Sequence, residues 1–250
     1  EANNNIRRII MDHYFTTSDN VRLHYSETGS GPNTVVILPG MGCPASDFNG
    51  VAARLGDEYK VYALDYRCHG ESGAPKYGYH IERFSVDFKE MLEDAGIEKF
   101  HLIAHSMGNT VGWGYLEMFG WDNVLSYILE EEAPCLVPDP AWTEEEVHTL
   151  CGNIAWPSFM PAEAAGGEFM SKLFHDHVNR DWREEVKRID KPTMIVMGDE
   201  SHYTQPLLWG WLQENIAGSE FVTLKGGHNL HVDNEDGFVE VAAGFLGRQI

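Results

Sequence analysis

A strand-like run, Phe100 to Ala104, stops at His105-Ser106-Met107-Gly108 and restarts with helical character. A strand that reverses into a helix within one or two residues strains the turn, needs small neighbours and thrusts the turn side chain clear of the sheet. A serine presented in this way is a nucleophile if a base reaches it, and the N–H of the next residue then points at the oxyanion formed on attack. The commonplace alternative is a serine that caps an ordinary helix. Ala104 stands one methyl larger where the G-x-S-x-G pattern has its first glycine.

An oxyanion donor and a base occupy matching places. Leu38-Pro39-Gly40-Met41-Gly42 follows a β-branched run, and its glycines let the backbone approach a substrate oxygen closely. The N–H groups of Met41 and Met107 are the expected oxyanion pair, with Gly40 against the substrate. Alone, this loop would be a plain glycine turn. Lys225-Gly226-Gly227-His228-Asn229-Leu230-His231 lies between the last strand-like run and the final helix. His228 is the expected base and His231 the fallback, since in a chain with 12 histidines several have no catalytic task. The order of oxyanion loop, nucleophile, acid and histidine suits acyl transfer.

The acid is harder to place. Glu130-Glu131-Glu132 ends an apolar run, and strand alternation sends Glu130 and Glu132 away from the side that Glu131 takes. Such acidic runs are commonly solvated. Three carboxylates beside an apolar strand nevertheless repel one another unless one is partnered. His228 is the expected partner.

These side chains need a sheet to hold them. Alternating runs at His13 to Thr17 and Val21 to Tyr25, joined by Ser18-Asp19-Asn20, predict a hairpin. Continuous apolar runs at Thr34–Leu38, Tyr59–Leu64, Phe100–Ala104, Leu125–Leu129, Thr193–Met197 and Glu220–Leu224 predict buried strands. Helices are predicted over Ala45–Leu55, Ile81–Ala95, Met107–Phe119, Leu207–Ile216 and Gly237–Leu246. Strands alternating with crossover helices give an α/β fold, a mostly parallel open sheet with helices on both faces. Residues 1–134 and 191–250 are the expected core. Residues 135–190 lack strand signal and carry Trp142, Trp156, Phe159, Met160, Phe169, Phe174 and Trp182, a composition expected for a helical lid over the crevice at the sheet's carboxyl edge. Trp156, Phe159, Met160 and Trp182 are its candidate substrate contacts, although such aromatics also pack on each other.

Composition narrows the partners. The chain has 250 residues, enough for one sizeable domain, and a net charge of −21, which argues against a nucleic acid backbone as ligand. Cys43, Cys68, Cys135 and Cys151 have neither metal-ligand nor C-x-x-C spacing and read as free thiols of a reducing compartment. No apolar run is long enough to span a membrane, and Glu1-Ala2-Asn3-Asn4-Asn5 lacks signal-peptide character, so a cytoplasmic location is expected. The histidines lack sequence spacing for a metal, and no cofactor is expected.

Four segments together resemble the α/β-hydrolase superfamily, in particular its lid-bearing esterase, lactonase and cofactor-free haloperoxidase branch. They are Pro39-Gly40-Met41-Gly42 at the oxyanion loop, Asp65-Tyr66-Arg67-Cys68-His69-Gly70-Glu71-Ser72, the turn at Ser106, and Gly227-His228. The likeness runs from about Phe15 to Phe245. Pro39 stands where the family usually has histidine, and Cys68 replaces a glycine. The family's commoner acid position falls on Ser201, a hydroxyl that cannot support an imidazolium as a carboxylate does; Asp199 or Glu200 would serve only if that loop shifted. The position resembling the acid of haloalkane dehalogenases and zearalenone lactonases is Glu131, with Glu132 next. The resemblance thus implies a catalytic set of Ser106, His228 and Glu131 and hydrolysis of a small-to-medium apolar ester or lactone. A haloperoxidase or perhydrolase with the same triad, or a hormone-receptor member of the fold with little turnover, are the alternatives.

Overall fold

The computed structural model describes residues 9–135, 168–201 and 206–250. Its strands are β1 (Ile10–Thr16), β2 (Arg22–Thr28), β3 (Asn33–Leu38), β4 (Tyr59–Asp65), β5 (Phe100–His105), β6 (Val124–Glu130), β7 (Thr193–Gly198) and β8 (Glu220–Leu224). They form one 8-stranded sheet in the order β1-β2-β4-β3-β5-β6-β7-β8. β1 pairs antiparallel with β2, and β2 antiparallel with β4, while the remaining strands run parallel. The predicted α/β architecture and its opening hairpin are present.

The helices are α1 (Asn49–Leu55), α2 (Ile81–Asp94), α3 (Met107–Phe119), α4 (Glu168–Val178), α5 (Arg183–Val186), α6 (Pro206–Asn215), α7 (Leu230–Asp233) and α8 (Glu235–Leu246). The segment expected as one helix from Ala45 splits, because Ala45–Phe48 is a tighter 3-10 turn that precedes α1. The last helix begins earlier than predicted, where the Asn234 side chain accepts from Gly237 N at 3.2 Å. Of the expected insertion at 135–190, α4, α5 and a β-bridge between Cys135 and Asp181 are described. Trp142, Cys151, Trp156, Phe159 and Met160 lie outside the described residues. Cys43, Cys68 and Cys135 are free thiols.

The continuous apolar runs follow from burial on both sheet faces. In β3, Val36 and Leu38 enter the core shared with α2 and α3, and Val35 and Ile37 enter the opposite core with α1 and α8. The same alternation separates Leu129 from Ile128 in β6 and Met197 from Val196 in β7. It carries on to the strand ends, where the polar residues stand.

One loop after β4 ties these layers to the site. Asp65 accepts from Ala45 N at 2.6 Å and Glu71 N at 3.0 Å, and lies 2.7 Å from His24 Nδ1. Gly70 has φ +46, and a Cβ there would lie 2.2 Å from the Asp65 carboxylate, so only glycine fits. His69 Nε2 accepts from Gly42 N at 2.9 Å, which braces the loop Pro39–Gly42 from below. Arg67, fully buried, donates to both oxygens of Asp87 on α2, at 2.7 and 2.8 Å, and to Asp19 at 3.1 Å.

A bidentate pair sealed from water fails badly when one partner is removed. Asp87→Ala is expected to cost on the order of 3 to 5 kcal/mol by leaving the Arg67 guanidinium buried and underpaired. Urea unfolding followed by circular dichroism measures it; a loss within experimental scatter would show that Asp19 and water suffice.

Candidate active site

Ser106 is the turn between β5 and α3, and its backbone sits at φ 49, ψ −128, a region non-glycine residues seldom occupy. The strain is held from several sides. Ser106 N donates to Glu130 O at 2.9 Å, and Asn109 Nδ2 donates to both Ser106 O and Glu130 O at 3.0 Å. Tyr127 OH in turn donates to Asn109 Oδ1 at 2.5 Å. Asn109 and Tyr127 were not singled out from the sequence, where each looks like an ordinary helix or strand residue. A Cβ on Gly108 would lie 2.1 Å from Leu38 O, which is why the turn needs glycine there.

The loop after β3 presses on this turn. A Cβ at Gly40 would lie 3.1 Å from Ser106 Cβ and 2.6 Å from His105 Nδ1. Met107 opens α3, so its N–H has no partner within the helix and is free to face an anion at the helix N-terminus. Met41 is half-buried on the neighbouring loop.

Three successive glutamates at the end of β6 are all buried, and each faces a different histidine. Glu131 breaks from the strand at φ 53 and places Oε2 3.2 Å from His228 Nδ1. Gly198 N donates to its Oε1 and Ser201 Oγ to its Oε2, both at 2.5 Å. Ser201, the residue at the commoner acid position, therefore supplies a hydrogen bond to the carboxylate. Asp199 and Glu200 are exposed, and Asp199 accepts from Gly226 N at 3.0 Å instead.

Glu130 takes the opposite sheet face, as alternation requires. Its Oε1 accepts from His231 N at 3.0 Å and lies 2.8 Å from His231 Nδ1, while Phe48 stacks on that imidazole at 3.9 Å. Burial and the Glu131 charge push the Glu130 carboxyl up to about 7, and burial holds the His231 imidazole down at about 3. The fallback base is thus sealed on the α1 and α8 side, whereas the His228 side chain keeps 18% exposure. His105 Nε2 donates to His228 O at 2.9 Å and fixes the backbone at His228.

His105, Glu130 and His231 offer ligand-type atoms within 4.8 Å of one another, a grouping invisible to sequence spacing. Each already uses one such atom on a protein partner, and His105 Nδ1 faces the Gly40 backbone. His105 Nδ1 and His231 Nε2 are buried with no hydrogen-bond partner among the described residues.

Glu132 lies 3.4 Å from His177 Nε2 of α4. Trp182 is in the buried cluster with Trp113, ring centroids 6.4 Å apart, and its N donates to Pro134 O at 2.7 Å.

Residues 35–241 match the model of the alpha/beta hydrolase family. The chain belongs to that family. A curated relative, 3-oxoadipate enol-lactonase 2 of Acinetobacter baylyi, is 23% identical over 246 residues, covering 89% of this chain and 92% of the relative. N-formylmaleamate deformylase of Pseudomonas putida is 31% identical over 93 residues, only 37% of this chain and 35% of that protein. Among solved structures, an esterase from Exiguobacterium antarcticum superposes with a TM-score of 0.83 at 22% identity over 95% of this chain and 100% of the other. The likeness to the solved esterase is one of fold. Among the described residues no helix is long and apolar enough to cross a membrane.

Glu131, the residue expected as the acid of an acyl-transfer triad, can be tested directly. Glu131→Gln is expected to keep the fold and lower kcat on an ester by about 10⁴, as when a triad carboxylate becomes an amide. Glu132→Gln and Asp199→Asn cost far less. Assaying the three side by side, with circular dichroism as the check on folding, would reject Glu131 if its amide variant stayed near wild type.

Proposed function

We propose that this chain is a serine hydrolase that cleaves a small-to-medium apolar carboxylic ester or lactone, without a cofactor. One observation carries the reading: the strained Ser106 and the His228–Glu131 pair stand at the same carboxyl edge of the sheet, on turns whose backbones are fixed to each other through Glu130 O and His228 O. In this mechanism His228 Nε2 takes the Ser106 proton as Oγ attacks the acyl carbon. Glu131 supports the positive imidazolium and holds its Nδ1 proton, and the N–H groups of Met41 and Met107 receive the negative oxygen. The leaving alcohol, or the ring oxygen of a lactone, takes the proton back. Water then attacks the acyl-serine, with His228 again as base, and releases the acid.

The substrate class rests on fewer supports. The enol-lactonase named above is a lactone hydrolase by its own name, and Glu131 after β6 is the acid position that resembles zearalenone lactonases. The apolar residues proposed to line the pocket, Trp156, Phe159 and Met160, fall outside the described residues. Trp182, in the buried cluster, is proposed to hold the segment rather than to meet the substrate.

A panel of p-nitrophenyl esters, macrocyclic lactones and acyl-homoserine lactones tests the proposal. At least one neutral substrate is expected to be turned over, and Ser106→Ala to lose that activity by a factor on the order of 10⁶. Equal turnover by wild type and variant would remove Ser106 from the mechanism. Bromination dependent on halide and acetate, without ester hydrolysis, would favour a haloperoxidase.

A further inference from the structure

Glu132 has no part in the triad, and its burial calls for an explanation. It follows the acid Glu131 directly, with 2% of its side chain exposed, and it faces His177 of α4, exposed by 6%. An unpaired carboxylate in such a place would be expelled or would take up a proton.

The hydrogen-bond partners decide where protons stand. Thr110 Oγ1 donates to Met107 O at 2.8 Å, so its lone pairs are left to accept. His177 Nδ1 lies 3.3 Å from that hydroxyl and is therefore a donor, leaving Nε2 as the bare nitrogen of a neutral imidazole. That Nε2 is 3.4 Å from Glu132 Oε2. Ala133 N donates to the other oxygen, Oε1, at 2.8 Å. With a proton on Oε2, each donor in the series meets an acceptor.

We propose that Glu132 and His177 are positioning residues of this active site: a neutral Glu132 carboxyl donates to His177 Nε2, His177 to Thr110, and Thr110 to Met107 O, tying α4 to the serine turn. The chain of bonds joins the turn of the acid to the residue whose N–H is the oxyanion donor. Its effect on turnover rests on the serine hydrolase reading above; the hydrogen-bond chain itself does not.

The surrounding charges agree with this assignment. Burial pushes the Glu132 carboxyl up to about 8, and the Glu131 carboxylate adds to the shift. Burial lowers His177 to about 4, helped by His228 and opposed by Asp176 on its own helix. Burial raises the Tyr127 phenol of β6 well above its ordinary value and keeps it neutral. Both members therefore keep their neutral forms between about 4 and about 8. Since the folded carboxyl holds its proton more tightly than the unfolded one, the stability it supplies is complete below the ordinary carboxylate range. It is lost as pH rises through about 8.

Glu132→Gln separates this link from an ion pair, because an amide N–H can replace the carboxyl proton while no charge remains. The variant is expected to match wild-type kcat/KM at neutral pH, and to lack the part of the wild-type decline in mild alkali that comes from Glu132 ionising. His177→Phe, which keeps the volume and breaks both bonds, is expected to lower kcat/KM by up to about a hundredfold through misplacement of the serine turn. Infrared difference spectra at neutral pH, wild type against Glu132→Gln, are expected to contain the carbonyl stretch of an un-ionised carboxyl. If Glu132→Gln does not fold, the same band followed in wild type alone is expected to fade with a midpoint near 8. If the chain turns over no ester, the band still decides the link. Absence of the band, or a Glu132→Gln enzyme as impaired at neutral pH as His177→Phe, would overturn the proposal.

Discussion

Three consecutive carboxylates buried at the end of a central parallel strand are the constraint around which this candidate site is arranged. Neighbouring negative charges in a medium of low dielectric cannot all persist without partners. Here the strand and the break after it send them to three places: Glu130 to His231 beneath the sheet, Glu131 to His228 at its edge, and Glu132 to His177 on α4. Only Glu131 has left the strand's alternation, through its left-handed φ, and only its histidine is partly open to solvent. Glu130 and Glu132 are pushed up toward neutrality, while Glu131 is held by a main-chain N–H, a hydroxyl and an imidazole.

The scaffold concentrates strain and tight packing where chemistry is expected. Ser106 and Glu131 both have positive φ, and they end adjacent strands, β5 and β6, whose register pairs His105 with Glu130. Ser106 N and Asn109 Nδ2 both rest on the Glu130 carbonyl, so the turn at Ser106 is built directly on the turn at Glu131. A movement of one turn displaces the other. The buried Arg67 fork and the Asp65 network secure the loop that supports Gly42 from the opposite side.

Much of this was legible in the sequence, for physical reasons that differ by element. Strands buried on both faces are marked by unbroken apolar runs, which is why Thr34–Leu38 and Thr193–Met197 stand out. Ser106 is marked by the small residues its backbone demands, and His228 by its glycine-rich loop at the right place in the chain order. The partnering of Glu130 and Glu132 was not legible, since it depends on His231 and on His177, which no local pattern connects to β6. The grouping of His105 with Glu130 and His231 is likewise a product of sheet register and not of spacing along the chain. Helix bounds near Ala45 and Asn234 shifted because 3-10 and capping geometry depend on single hydrogen bonds.

The hydrogen bond from Ser201 to Glu131 also bears on how such sites diverge. The two places at which this family carries its acid are here in direct contact, 2.5 Å apart across the ends of β6 and β7. The Ser201 hydroxyl and the His228 imidazole thus meet the same oxygen, Oε2 of Glu131, so the end of β7 reaches the carboxylate that the end of β6 supplies.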